Sequence, residues 1–243
     1  MRQYFQFKQF SIRQEQSAQK VGTDGVLLGA WAQTCNPNHI LDIGTGTGLI
    51  ALMLAQRYSM AQIHALEIDP MASQDARLNF EAAPWTDRIE LFEEDVNQWK
   101  APVTYDLIVS NPPYFQNGLK PASDNRRQAR HQDSLNLVQL FHRSAKMITQ
   151  NGQLCIILPS AWDQKVLDLL QIAGWFIREK VGVYSDAKAP RPKRTLWRFS
   201  KMPGPSGESQ FYLYESEWNK KNAGSRAYSQ AFIQLTKAFY LQF

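Results

Sequence analysis

The stretch Ile40-Leu41-Asp42-Ile43-Gly44-Thr45-Gly46-Thr47-Gly48 reads as a short apolar strand that ends in an acid and runs into a glycine-rich turn. A helix is expected from about Leu49. Glycine adopts backbone conformations closed to other residues and lets the main chain approach a ligand closely. The glycines stand at 44, 46 and 48, and Leu49 occupies the place where a dinucleotide loop of the Gly-x-Gly-x-x-Gly type needs its third glycine.

Outward from this turn, short β-like runs alternate with helical patterns, as in a parallel sheet with crossover helices. The expected strands are His39-Ile43, Gln62-Ile68, Ile89-Phe92, Tyr105-Ser110 and Gln153-Leu158. Helices are expected near Leu49-Gln56, Pro70-Glu81, Asn136-Ile148 and Ser160-Ala173, with Asn151-Gly152 as a helix stop. Beyond Gly174 the pattern turns to β over Trp175-Tyr184, Thr195-Ser200 and Phe211-Glu215, with Met202-Ser209 as a turn and a short closing helix over Phe232-Tyr240. The fold expected is α/β: a Rossmann-like, seven-stranded, mostly parallel sheet with an antiparallel C-terminal hairpin. One domain is expected over 1–243, with an N-terminal cap (1–37, containing a short helix over Val26-Ala32), a core (38–200) and a C-terminal extension (201–243).

The alternating glycines point to S-adenosylmethionine as cofactor, since no pyrophosphate then has to sit on the helix N-terminus. Gly44, Gly46 and Gly48 form the candidate cradle, and Asp42 is placed to meet the cationic amino group of the methionine portion. Glu67 closes the next strand, at the distance where α/β nucleotide sites put an acid on the ribose hydroxyls. Asp95 follows the strand ending at Phe92 and is a candidate partner for the cofactor's adenine amine. Glu93 and Glu94 compete with it, and a solvated turn acid is the plainer alternative.

Asp106-Leu107-Ile108-Val109-Ser110-Asn111-Pro112-Pro113-Tyr114 is an apolar strand that stops at Asn-Pro-Pro-Tyr. The prolines remove two N–H donors and hold the chain extended. The Asn111 side-chain oxygen and the Pro112 carbonyl then match the two hydrogens of an NH2 group. A conjugated amine is a poor nucleophile because its lone pair is delocalised. Two acceptors on its hydrogens favour pyramidalisation and stabilise the positive charge that develops as a methyl group arrives. Tyr114 offers a ring face for a planar acceptor, as an extruded base requires.

The chain carries a net charge of +5, unevenly spread. Between Tyr184 and Lys201, Lys188, Arg191, Lys193, Arg194, Arg198 and Lys201 face Asp186 alone. Between Phe115 and His131, Lys120, Arg126, Arg127 and Arg130 face Asp124 alone. Basic charge gathered into two segments suits a polyanionic partner, and Lys120, Arg126, Arg127, Arg130, Lys188, Arg191, Lys193 and Arg194 are the candidate RNA-binding residues. The N-terminal sixteen residues hold no apolar run suited to a signal peptide, and Leu49-Ala55 is too short to span a bilayer. Cys35 and Cys155 lie too far apart in sequence for a paired motif, and the four histidines show no ligand spacing. A cytoplasmic protein without a metal or membrane partner is expected.

Asn-Pro-Pro-Tyr beyond this glycine loop resembles the class I amino-methyltransferases, which act on adenine N6 of DNA and RNA or on glutamine in release factors. Phe7-Lys8-Gln9-Phe10 and Lys20-Val21-Gly22-Thr23-Asp24-Gly25-Val26-Leu27-Leu28-Gly29-Ala30-Trp31 are similar to the opening of the bacterial valine-tRNA (adenine(37)-N6)-methyltransferase family. The likeness continues through Leu41-Asp42-Ile43-Gly44, Leu52-Met53-Leu54-Ala55-Gln56-Arg57, the Asn111 motif and Gln128-Ala129-Arg130. It returns in Leu235-Thr236 and Ala238-Phe239-Tyr240-Leu241, and is weakest from about Trp162 to Arg226. The resemblance implies a tRNA substrate and sets Thr23 and Asp24 over the cofactor's methionine end, although a helix-capping Thr or Asp looks the same. Release-factor enzymes carry a helical domain ahead of the core, for which 37 residues leave no room. DNA adenine enzymes usually place Asp at the position of Asn111. A non-catalytic RNA-binding module is the third alternative.

Overall fold

The computed structural model describes residues 4–17, 19–113, 137–215 and 227–243. It opens on a two-stranded antiparallel hairpin, β1 (Tyr4–Gln6) and β2 (Ser11–Arg13), followed by helix α1 (Thr23–Trp31). Strand β3 (His39–Ile43) then leads through the glycine turn into α2 (Leu49–Arg57). Next come β4 (Gln62–Glu67), α3 (Pro70–Glu81), β5 (Ile89–Glu93) and β6 (Tyr105–Ser110). The second half holds α4 (Leu137–Met147), β7 (Ile148–Pro159), α5 (Asp163–Ala173), β8 (Phe176–Tyr184), β9 (Arg194–Ser200), β10 (Gly207–Tyr212) and α6 (Gln230–Thr236).

The main sheet has eight strands in the order β10-β8-β9-β7-β6-β3-β4-β5, one more than the seven expected. β9 runs antiparallel to both β7 and β8, so it supplies the antiparallel C-terminal pair. The other neighbours, including β10 on β8, are parallel. Central strands buried on both faces have near-continuous apolar sequences, and β6 shows this: Leu107 and Val109 enter one core while Ile108 enters the other. α2 is buried from Leu49 through Ala55 and lies within the first core with α1 and part of α3. α4 and α5 cover the opposite face with Trp99, Phe141, Trp175 and Phe199. α3 begins where Asp69 accepts from Met71 N and Pro70 takes the first turn, a start signal visible in the sequence.

Three local expectations are corrected. The cap contains the β1–β2 hairpin, whose three-residue strands are too short for a periodicity to register. Asn151-Gly152 does not stop a helix but lies inside β7. There the partner register jumps from Tyr105↔Ile148 to Leu107↔Gln153, and a Cβ on Gly152 would stand 2.8 Å from the Tyr105 carbonyl oxygen. That glycine permits a bulge, not a cap. The supposed turn over Met202-Ser209 ends early, because β10 starts at Gly207 as an edge strand with exposed side chains.

The two ends of the chain pack together. Lys8 N donates to the Phe239 carbonyl at 2.8 Å, Phe7 stacks on Phe10 and Tyr240, and the fully buried Phe232 stacks on Tyr228 at 4.4 Å. Phe232→Ala should therefore cost about 3–5 kcal/mol. Amide exchange should rise first in β1, β2 and α6, ahead of β3 and β6; a uniform rise across the sheet would contradict this packing.

Candidate active site

The carboxyl ends of β3, β4 and β6 lie side by side in the sheet, and the site is built on them. Gly44, Gly46 and Gly48 adopt φ of 71°, 59° and 83°, the left-handed region in which other residues are strained. They do not share one role. A Cβ on Gly44 or Gly46 would meet nothing within 4 Å, whereas one on Gly48 would stand 2.4 Å from the Phe80 ring. Gly48 is thus a packing position against α3, and only the first two glycines leave an open cradle.

The loop is braced from beneath. Gly44 N and Thr45 N donate to the Leu66 carbonyl at 2.8 and 3.0 Å. Gly46 N donates to Glu67 Oε2 at 2.8 Å, while Ile68 N and Asp69 N donate to Oε1. Asp42 Oδ2 accepts from Thr45 Oγ1 at 2.6 Å and from Ala51 N at 3.1 Å. Asp42 is wholly buried, and its Oδ1 has no hydrogen-bond partner among the described residues. Burial pushes its carboxyl up to about 7, against the lowering effect of Thr45 and Ala51. Glu67 is raised for the same reason, partly offset by its three amide donors. An orphaned buried carboxylate oxygen beneath an open glycine cradle suits a cationic ligand.

The cleft over this loop is formed by residues 19–25 and 44–47 with Leu49, Ile50 and Asn111. It thus brings together five of the expected residues: Thr23, Asp24, Gly44, Gly46 and Asn111. Asp42, Glu67 and Gly48 are not among its lining residues, and neither is Asp95. Asp95 Oδ1 accepts from both Asn97 N and Nδ2, at 2.8 and 2.9 Å, which makes it a turn-forming acid in this structure. Helix capping does not explain Thr23 or Asp24, because the cap position belongs to Gly22 and carries no side-chain bond.

Asn111 follows Ser110, whose hydroxyl donates to the Ile43 carbonyl at 2.8 Å and so ties the end of β6 to that of β3. A Cβ on Gly25 would reach Leu49 at 3.1 Å and Asn111 Nδ2 at 4.0 Å, so a glycine there lets the first turn of α1 lie beside both. Pro112 is buried and Pro113 exposed. Tyr114, Lys120, Arg126, Arg127 and Arg130 fall outside the described residues.

The loop between β8 and β9 emerges at the same end of the sheet as Asn111. Asp186 shapes it by accepting from Ser185 Oγ and Lys188 N, and Ser160 Oγ donates to the Pro192 carbonyl. Lys188, Arg191 and Lys193 are exposed on it. Arg194 is placed differently: its Nε donates to Asp24 Oδ2 at 2.7 Å, 170 positions away in sequence. A residue expected on RNA thus pairs with one expected on the cofactor. Residues 19–21, Gly25 and the Asp24–Arg194 pair were not foreseen from the sequence, where only the resemblance pointed to Gly22, Thr23 and Asp24. Cys155 is a buried free thiol, raised to about 11 chiefly by burial. Among the described residues no helix is long and apolar enough to cross a membrane, and no His/Cys/Asp/Glu group is placed to hold a metal.

These glycines separate two effects. Gly48→Ala should lower stability by about 1–3 kcal/mol through its clash with Phe80 and its positive φ. Gly46→Ala carries the same positive-φ strain without a clash, so it should lose less stability yet weaken cofactor binding in calorimetry; equal affinities for the two variants would contradict the division. The raised Asp42 carboxyl gives a second test. A cationic ligand favours the ionised acid, so binding should release a proton and tighten as pH rises from about 6 to about 7.5. Asp42→Asn should flatten that dependence.

Residues 17–176 match the methyltransferase small domain family. A tRNA1(Val) (adenine(37)-N6)-methyltransferase of Klebsiella pneumoniae is 38% identical over 240 residues, covering 98% of this chain and 94% of that protein. The Escherichia coli protein of the same name is 39% identical with the same coverage. In solved structures the fold matches a predicted O-methyltransferase from Agrobacterium tumefaciens (TM-score 0.64, 18% identity, 89% of this chain and 96% of that one). It also matches a type I restriction-modification methyltransferase subunit from Streptococcus thermophilus (TM-score 0.60, 16% identity, 91% and 52%). The chain has the class I methyltransferase fold, takes S-adenosylmethionine as its cofactor, and belongs to the methyltransferase small domain family and, within it, to the tRNA1(Val) (adenine(37)-N6)-methyltransferases.

Proposed function

We infer that this chain transfers a methyl group from S-adenosylmethionine to the N6 amine of an adenine in tRNA, at position 37 of a valine tRNA. The observation that carries the reading is that Asn111 lines the same cleft as Gly44 and Gly46, so an amine clamp and a cofactor cradle share one space. The relatives named for this reaction, aligned over nearly the whole chain, supply the choice of tRNA.

The cofactor supplies an electrophilic methyl group on a sulfonium; the protein supplies position and electrostatics. Gly44 and Gly46 leave room for the cofactor, and Asp42 offers negative charge beneath its cationic end. Glu67 is the ribose acid in this reading: Oε1 already accepts two amides, whereas Oε2 accepts only the Gly46 amide and has a second lone pair to offer. Asn111 Oδ1 and the Pro112 carbonyl accept the two N–H groups of the adenine amine, returning its lone pair to nitrogen and stabilising the charge that forms there. The methylated amine is acidic and sheds its proton without a strong base. Tyr114 gives the stacking face. An anticodon loop presents its bases unpaired, which lowers the cost of extruding one. Lys188, Arg191 and Lys193 lie at this end of the sheet to hold phosphates, with Lys120, Arg126, Arg127 and Arg130 proposed for the same task. Such an enzyme works in the cytoplasm.

Asn111→Ala should lower kcat by roughly two to three orders of magnitude with little change in cofactor Kd. An equal loss of cofactor affinity would make Asn111 a binding residue instead. Neutralising Arg191 and Lys193 together should weaken tRNA binding and flatten its salt dependence while leaving cofactor binding unchanged. The substrate itself is tested by offering valine tRNA, an adenine-containing DNA duplex and a release factor side by side. Methylation of the duplex or the protein with the tRNA untouched would overturn the assignment.

A further inference from the structure

Seven of the cleft's lining positions, residues 19–25, come from a segment that belongs to no strand of the main sheet. Its placement therefore needs anchors. α3 provides them on its buried face, where Asp75 and Asn79 stand four residues apart among Ala72, Ala76 and Phe80. Asn79 is 3% exposed and makes three bonds. Its Oδ1 accepts from Arg13 N at 2.7 Å, and its Nδ2 donates to the Arg13 carbonyl at 2.9 Å and to the Thr47 carbonyl at 2.8 Å. Asp75 Oδ2 accepts from Gln16 N and Ser17 N at 2.9 and 2.8 Å. The segment then folds back on itself, with Val21 N donating to Gln14 Oε1 at 2.7 Å and Lys20 Nζ donating to the Gln14 carbonyl.

One amide side chain therefore ties together both walls of the cleft. Arg13 begins the segment that supplies residues 19–25, and Thr47 belongs to the glycine loop itself. We propose that Asn79 is a positioning residue for the cofactor: by bonding Arg13 and Thr47 at once, it sets the distance between the N-terminal wall and the glycine loop. Asp75 holds the same wall one turn nearer the N-terminus of α3. Neither residue lines the cleft, so each acts through the backbone it holds. The chemistry is specific to an amide. An acid at 79 keeps the acceptor for Arg13 N but loses both donations and faces two carbonyl oxygens. The proposal rests on the cofactor reading above.

The test compares Asn79→Ala and Asn79→Asp with Phe141→Leu, a core change on the opposite face of the sheet. S-adenosylmethionine Kd is read by calorimetry, and amide exchange over residues 13–25 is read without cofactor. Both Asn79 variants should raise Kd by about tenfold to a hundredfold and speed exchange at Arg13, Gln16 and Ser17. kcat at saturating cofactor should fall far less than Kd rises. Phe141→Leu should lower Tm without either effect. The proposal is overturned if Asn79→Ala binds cofactor as the wild type does, or if Phe141→Leu weakens binding equally at an equal loss of Tm. Should Asn79→Ala fail to fold, Asn79→Asp decides on the same readings. A wild-type chain that bound no S-adenosylmethionine would sink the cofactor reading instead, and unchanged exchange at Arg13 in the variants would separately sink the anchor.

Discussion

The Gly46 amide donates to Glu67 Oε2 at 2.8 Å, and through that bond the ends of β3 and β4 become one structure. The loop between Ile43 and Leu49 turns through three left-handed glycines, a path that a chain follows only when its amides and carbonyls are satisfied elsewhere. Leu66 accepts two of those amides, Glu67 a third, and Asp42 holds Thr45 from the other side. The glycine loop is thus a backbone shape held by two buried carboxylates. Both acids are raised by burial, which disfavours their ionised forms and makes a nearby positive charge favourable.

That shape also organises what surrounds it. Phe80 of α3 presses on Gly48, and Asn79 beside it reaches Thr47 and Arg13. On the far side Ser110 ties β6 to β3, which sets Asn111 at the mouth of the same cleft. The Asp24–Arg194 pair joins the first turn of α1 to the start of β9, immediately after the basic loop. Residues 19–25, the end of β6 and the loop between β8 and β9 are therefore held by short polar contacts between sequence-distant segments. An Arg that stands among other cations in the sequence pairs here with an acid, whereas its neighbours Arg191 and Lys193 are exposed.

Much of the scaffold was legible because its residues are locally consistent. β3 and β6 match their expected limits since both are continuous apolar runs ended by a special turn, and α3 matches because Asp69-Pro70 marks its start. The glycine spacing and the Asn-Pro-Pro stop pointed to one cleft, and Gly44, Gly46 and Asn111 line it together. What escaped depended on partners far off in sequence. Gly48 looked like its two neighbours until Phe80 came to lie against it, and Gly152 looked like a helix stop until the Tyr105 carbonyl stood beside it. Asp75 and Asn79 left a signal, an acid and an amide on a buried face shared with Ala72, Ser73, Ala76 and Phe80. Their meaning required knowing which segment lies across that face.

The central claim is that an exocyclic adenine amine, held through its two hydrogens, is the group methylated. It is tested most directly by treating unmodified valine tRNA with the protein and S-adenosylmethionine carrying a deuterated methyl group, then analysing the nucleosides and the anticodon-loop fragment by mass spectrometry. The label is expected on N6 of the adenosine just 3′ of the anticodon. Label on a ring nitrogen, which has no pair of hydrogens for Asn111 and Pro112 to accept, would contradict it.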